Sequence, residues 1–372
     1  MVARPSLTNV QRLIILGVTL LVAGFSIWFF SSIVVYIIVA FVISMIGEPL
    51  VNLLQKIHLG KRHLPRGLCS LITVLLFWGL AFTFFYIFLP LVVNEIKYFS
   101  NLDLNSLIAN LEAPIGKLRD FLAGFNLVPV DFDLLAWTRN TVVTAIGQVE
   151  FSGFVSNVAG ILGDAFIAIL AISFISYYFM RESDLFADAL VLFFPEDKEQ
   201  NVRNAIHSIS ILLKRYFIGV MLQITGIIIL NTAGLSIVGL QFNHAVTIAL
   251  ISGVLNVIPY VGPFLGTLIG MLVGVAVSMP MDVATEMIPL LIYIFIAMEI
   301  TQLIDNVVFQ PQIFSRSVKS HPLEIFIVIL LAATIGGVVG MLIAIPAYTV
   351  IRVIAKEFFN QNKLVQKITE GL

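Results

Sequence analysis

Residues 13–46 read LIILGVTLLVAGFSIWFFSSIVVYIIVAFVISMI, without one charged side chain. A membrane-spanning helix needs about 20 apolar residues, so this run is too long for one span and fits two, with a break near Ser31–Ser32. Arg4 and Arg12 precede it as in a secretory leader, but the apolar core of a leader is only about 7–15 residues. The run is therefore read as a retained membrane anchor. The rest of the chain has the same character: of 372 residues, 59% are apolar and 12% charged, against about a quarter charged in soluble domains.

Further apolar runs cover Leu68–Val93, Phe154–Met180, Phe217–Val238, His244–Val277, Ile288–Ile304 and Pro322–Ile351. The His244–Val277 run exceeds one span and is interrupted by Pro259, Gly262 and Pro263. The last run contains Gly336-Gly337 and reads as one tilted helix or a short hairpin. The expected fold class is all-α: a polytopic transmembrane helical bundle with broken or re-entrant helices and a small outer helical segment. No internal repeat is evident.

Basic residues collect on cytoplasmic flanks. Arg4 and Arg12, then Lys56, Lys61, Arg62 and Arg66, bracket the first pair of spans; Lys198, Arg203, Lys214, Arg215, Arg316, Lys319 and the tail residues Arg352, Lys356, Lys363 and Lys367 fall on the same side when both termini are cytoplasmic. Residues 1–93 are then N-terminal membrane helices with a cytoplasmic basic loop. Residues 94–153 are an extracytoplasmic amphipathic segment, 154–180 a membrane helix and 181–215 a cytoplasmic or interfacial amphipathic helix. Residues 216–355 form a transport core broken at 259–263, and 356–372 a cytoplasmic tail. In the outer segment Leu104, Leu107, Leu111, Ile115, Leu118 and Leu122 recur at helical spacing around Pro114, and a second stretch starts at Asp133. In the inner one Pro195-Glu-Asp opens a helix whose face is Val202, Ile206, Ile209 and Leu213. That face lies on the inner leaflet or packs on the bundle.

Several function classes fall away. The net charge of -1 offers no basic surface for nucleic acid. The single cysteine, Cys69, and five scattered histidines supply no metal-ligand set. There is no His-Glu-x-x-His helix, no Gly-x-Ser-x-Gly elbow and no phosphate-binding loop. No enzyme, cofactor or metal site is expected.

Two stretches carry candidate chemistry. The first is Asn256-Val-Ile-Pro259-Tyr260-Val-Gly262-Pro263. In a helix, Pro259 would free the carbonyl of Leu255, and Pro263 that of Pro259. Free carbonyls at membrane depth must be buried in protein or line a wet cavity, and broken helices of this kind recur at transporter substrate sites. A simple turn at the membrane surface is the plainer reading. The second is Glu299-Ile-Thr-Gln302-Leu-Ile-Asp305-Asn306-Val-Val-Phe-Gln310-Pro311. Glu299, Gln302 and Asn306 share one helical face with Asp305 beside them, and an acid at bilayer depth costs about 2.5–3.5 kcal/mol or more, so it should face the bundle or water. Gln223 and Asn231 in the fifth run, and Gln241, read as interhelical glue. Glu324 follows His321-Pro322.

At these motifs the chain resembles the autoinducer-2 exporter family of bacterial membrane transporters. Asn256-Val-Ile-Pro259-Tyr260-Val-Gly262-Pro263 is similar to its Pro-x-x-Gly-Pro segment, Gln302-Leu-Ile-Asp305-Asn306 with Gln310-Pro311 to its Asp-Asn…Pro segment, and His321-Pro322-Leu323 to the start of its final membrane region. Order, spacing and hydropathy layout agree over almost the whole chain. The resemblance implies a multi-pass protein of the bacterial cytoplasmic membrane with about eight passes. It implies a homo-oligomer, a pentamer in the family's pattern, and a substrate pathway through the broken helix and the Asp-Asn segment. His321 and Pro322 would start the final helix or form a cytoplasmic gate.

Two transport chemistries fit. Export of a small polar molecule, such as a hydroxylated quorum signal, needs donors and acceptors in an apolar cavity; Asn256, Tyr260, Gln302, Asn306 and the carbonyls near Pro259 can supply them. Sodium or lithium/proton antiport needs a carboxylate that alternates between proton and cation, for which Glu299, Asp305 and Glu324 are the candidates. The scarcity of membrane acids favours the first. A non-transporting scaffold or sensor is the third reading.

Overall fold

A computed structural model describes residues 29–59, 62–100, 151–277, 283–317 and 321–369, with isolated positions outside these stretches. The first half of the opening apolar run and most of the 94–153 segment, including the Leu104–Leu122 pattern, lie outside the described residues. Asp133 is described, and its carboxylate accepts from the Ala136 N–H at 2.8 Å as a helix N-cap does.

The described elements are α1 (Ser31–Gln55), a short antiparallel pair β1 (His58–Leu59) and β2 (Arg62–His63), α2 (Arg66–Ser100), α3 (Phe151–Arg181) and α4 (Leu185–Val191). Then come α5 (Glu199–Ile237), α6 (Phe242–Leu255), α7 (Val261–Val277), α8 (Ile288–Ile304), α9 (Gln310–Ser317), α10 (Pro322–Phe359) and α11 (Lys363–Ile368). The all-helical membrane fold is as expected, since a helix alone satisfies its backbone groups without water. Among the described residues five helices are long and apolar enough to cross a membrane by length and composition, and α3 and α4 pass the same test together as a pair bent by 94°. The chain divides into two compact units, residues 1–76 with 161–195, and residues 77–160 with 196–372.

In the first unit α1 begins at Ser31, the break expected inside the opening run. The hydroxyl of Ser176 donates to the carbonyl of Ala40 at 3.2 Å, and Arg66 Nε donates to the carbonyl of Met180 at 2.9 Å. Phe41 stacks on Phe186 at 4.0 Å and meets Phe179 edge-on. The last turn of α3 and the start of α2 are thereby tied together where the chain leaves the apolar region.

In the second unit α5 is the spine along which α6, α8, α9 and α10 pack. It is one helix of 39 residues, so the amphipathic stretch and the fifth span are continuous, and of the two readings of its apolar face the structure has the one packed on the bundle. Val202, Ala205, Ile209, Leu213 and Tyr216 are buried, so the apolar face of 199–216 packs on the bundle and continues into the span. Near the C-terminal end of α5, Leu235, Ile248, Val273, Ile294 and Met298 form one core; near its middle Tyr216, with Ile313, Ile325, Ile329, Ala344 and Ile345, forms a second.

Two hairpins complete the unit. Helices α6 and α7 have 14 and 17 residues, about 21 and 26 Å at 1.5 Å per residue, short of a hydrocarbon core of about 30 Å. Gly266 lies against Ser252 and Gly270 against Ile248, so the two helices run back on each other as a short hairpin. Helix α10 is also a hairpin. Gly336 and Gly337 leave helical geometry, Gly337 at φ 56° and ψ -138°, a region open essentially to glycine. A Cβ added to Gly340 would collide with the carbonyl of Ala332. Tyr348 donates to the Glu324 carboxylate, although 24 residues of straight helix would separate them by about 36 Å. The arms 322–335 and 338–359 are therefore antiparallel.

A long helix followed by a hairpin thus occurs twice, as α5 with α6–α7 and as α8–α9 with α10. A hairpin returns the chain to the side it left, so α8 crosses opposite to α5 and the second copy is inverted. This repeat of architecture has no counterpart visible in the sequence.

Candidate transport site

The tip of the first hairpin is built by its prolines. Helix α6 ends at Leu255, since Pro259 has no N–H to offer the carbonyl of Leu255. Ile258 N–H supplies that bond instead at 3.0 Å, and Val261 N–H bonds to the carbonyl of Pro259 at 2.8 Å. The carbonyls of Leu255 and Pro259, expected to be free, are thus engaged in turns. The bond from Val261 to Pro259 closes a three-residue γ-turn with Tyr260 at its centre, and Tyr260 has φ +68°. Such a backbone costs a residue with a side chain about 1–3 kcal/mol and persists only where its surroundings enforce it. Gly262 makes the turn possible, because a Cβ there would strike the Leu255 carbonyl. Pro259 and Gly262 are buried, whereas the ring of Tyr260 is 48% exposed and meets Phe326 of the second hairpin edge-on at 5.4 Å.

The turn aims Asn256 at Asp305. Asp305 is fully buried, at 0% exposure, and bears the convergent hydrogen bonds of the unit. Gln223 Nε2 of α5 donates to Oδ1 at 2.7 Å. Asn256 Nδ2 donates to Oδ2 at 3.2 Å, Gln310 Nε2 at 2.8 Å and Gln302 Nε2 at 3.5 Å. Four carboxamides from three chain segments surround one carboxylate, and among the described residues no basic group pairs with it.

The local fold explains why Gln310 belongs to the group. Residues Asp305–Phe309 form a π-helical turn, and the Gln310 N–H bonds to the carbonyl of Asp305. In an α-helix a residue five places on lies about 140° around the axis; the wider turn brings it directly below. The same bulge separates the neighbours: Asp305 points inward, whereas Asn306 is exposed and its Oδ1 accepts from Gln302 at 3.0 Å and Gln310 at 2.9 Å. Phe309, on the bulge, packs so closely on Gly226 of α5 that a Cβ there would meet its ring at 2.6 Å.

The expected residues do not all converge. Asn256, Gln302, Asp305, Asn306 and Gln310 form one bonded cluster, with Pro259, Tyr260, Gly262 and Pro263 shaping the turn that delivers Asn256. Glu299 is exposed on the outer side of α8, one turn before Gln302 and away from the buried row Ile294, Met298, Thr301 and Asp305. Pro311 is exposed in α9. His321 caps α10: its Nδ1 accepts from the Leu323 N–H at 3.2 Å, and Pro322 occupies the first turn. Glu324 is bonded to Tyr348 within the second hairpin, apart from the Asp305 cluster.

Three partners were undervalued by sequence reasoning. Gln223, read as interhelical glue, is a direct donor to Asp305; its sequence signal was a lone carboxamide in an apolar run. Arg352, read as a tail residue, is 2% exposed and lies over the Tyr348 ring with its guanidinium carbon 5.7 Å from the centroid. His244, at the start of α6, has Nδ1 within 2.9 Å of the nearly buried Glu95 carboxylate of α2. Nothing in the spacing foretells the last pair, 149 residues apart.

The family model described as AI-2E family transporter matches residues 18–360. The chain is 25% identical over 358 residues to the Bacillus subtilis (strain 168) protein named "Putative transport protein YueF", covering 91% of this chain and 88% of the relative. It is 26% identical over 226 residues to "Putative transport protein YrrI" of the same organism, covering 60% of each. A match over nearly the whole length of a polytopic helical chain places it in the AI-2E family of membrane transporters, which are not enzymes.

Proposed function

We propose that this transporter exports a small, hydroxyl-rich polar solute, of the kind used as a quorum-sensing signal, across the bacterial cytoplasmic membrane, and that Asp305 and its carboxamides lie on its path. The observation that carries this reading is the fourfold amide cluster around a fully buried carboxylate at the tip of a short hairpin. Carboxamides donate and accept in fixed planes, which suits a neutral ligand rich in hydroxyls. Gln302, Asn306 and Gln310 are only partly covered and lead from the open face of α8 towards Asp305. In this reading both termini are cytoplasmic and the protein works as a homo-oligomer, a pentamer by the family's pattern.

A second reading is sodium or lithium exchange for protons. What favours it is that Asp305 has no basic partner among the described residues, so a bound proton or cation would balance its charge. Purified protein in liposomes separates the two. Efflux of a hydroxylated furanone without proton movement supports the first; proton movement on adding sodium or lithium, lost in Asp305→Asn, supports the second. Neither flux, in protein shown to be folded and inserted, would overturn both.

A further inference from the structure

We propose that α4 and the turn Leu192-Phe193-Phe194 behind it form a membrane-interface anchor, whose partner is the headgroup and upper acyl region of the bilayer. The apolar stretch of α3 ends at Arg181, and Leu185–Val191 departs from it at 94°. A helix set square to a spanning helix, three residues beyond its end, runs along the membrane surface. The corner is closed by turns, the Glu182 N–H bonding to the carbonyl of Tyr178 at 2.8 Å and the Leu185 N–H to that of Glu182 at 3.1 Å. It is lined by Arg181, Glu182, Ser183, Asp184 and Asp188 together with Leu185, Ala189 and Leu192, so charged and apolar side chains meet there, as they do at the boundary between headgroups and acyl chains.

Leu185, Ala189 and Leu192 recur at i, i+4 and i+7 on one side of α4. Phe186, next on the wheel, turns back and stacks on Phe41, which fixes the rotation of the helix about its axis. Leu192 and Phe193 are left 85% and 84% exposed, and Pro195 ends the turn. Leu192 and Phe193 lie at the end of a span, on a segment parallel to the surface, where an aromatic and a leucine insert shallowly. The continuity of α4 with the span puts the bilayer within reach without any further partner.

The test does not depend on what is transported. In a Cys69→Ser background, single variants Leu192→Cys, Phe193→Cys and Glu182→Cys are spin-labelled in the full-length protein and placed in phosphatidylcholine/phosphatidylglycerol liposomes. Collisions with oxygen, which partitions into lipid, are compared with those of a water-soluble nickel chelate. Labels at 192 and 193 should favour oxygen several-fold, and the label at 182 the nickel chelate. Nickel-favouring labels at 192 and 193 would put them in water, and low collision with both reagents would put them against protein; either result overturns the proposal. If Phe193→Cys fails to fold, Leu185→Cys on the same face asks the same question.

Discussion

The side-chain amide of Gln223 lies 2.7 Å from Oδ1 of Asp305, and among the described residues it is the donor to that oxygen, while Asn256, Gln302 and Gln310 all converge on Oδ2. The two oxygens are therefore unequal. Losing one of three donors on Oδ2 leaves two in place, but losing Gln223 strips Oδ1 of its described donor on a carboxylate that is 0% exposed.

It follows that Gln223→Ala should impair transport nearly as much as Asp305→Asn, and more than Asn306→Ala. A buried acceptor left without its donor costs about 1–3 kcal/mol, more when charged. Initial flux rates of the three variants in liposomes, with thermal unfolding of each alongside, check the order. Equal, near wild-type flux in Gln223→Ala would show that Oδ1 needs no donor.

Tyr260 sits at φ +68° in a γ-turn and touches Phe326 of the other hairpin. Tyr260→Gly should relieve about 1 kcal/mol or more of backbone strain and hold or raise thermal stability. Flux should fall severalfold, because the edge-on contact between hairpins is lost. Tyr260→Phe keeps the ring and should transport normally. Flux and unfolding temperature read together separate strain from contact.

Gly262→Ala tests the close approach at the hairpin tip. A methyl would overlap the carbonyl of Leu255, and overpacking of this kind costs about 1–3 kcal/mol. Gly79 on α2 has open space around its Cβ position, so Gly79→Ala should be neutral or slightly stabilising. The difference in unfolding temperature between the two glycine variants is the measurement.

The second hairpin is held at its mouth by Glu324, Tyr348 and Arg352. Tyr348→Phe removes one hydrogen bond, worth about 1 kcal/mol. Arg352→Met removes a buried cation from beside a carboxylate and should cost more, about 3 kcal/mol. Hydrogen exchange over 322–359 should rise in both, with the larger change in Arg352→Met, while exchange in α6 stays unchanged.

Much of this was legible in sequence for definite reasons. Apolar runs of span length report directly on helices, and the start of α1 at Ser31 followed from run length alone. Pro259, Gly262 and Pro263 announced a break because a missing N–H and a missing Cβ have local consequences. The direction of individual side chains was not legible. Simple 100° steps put Glu299, Gln302 and Asn306 on one face, but the π-helical turn after Asp305 brings Gln310 under it, and helical periodicity has no term for an inserted residue. The Gly336-Gly337 hairpin was left open because both arms are apolar throughout. Gln223 and Asn256 come to one carboxylate through the packing of α5 against the hairpin, which no spacing encodes. Helix 199–237 was divided in the sequence reading because its first half is amphipathic; packing on α10 and α9 makes that half a continuation of the span.

The central claim is that the buried Asp305 carboxylate lies at the working centre of the transporter, and one comparison tests it most directly: flux through purified Asp305→Asn protein in liposomes beside wild type, measured both as efflux of a hydroxylated furanone and as proton movement driven by sodium or lithium. Asparagine keeps the shape and removes the charge. The account predicts that whichever flux wild type supports falls at least tenfold in a variant that stays folded. Wild-type flux in folded Asp305→Asn would contradict it and reduce the amide cluster to a structural tie between helices.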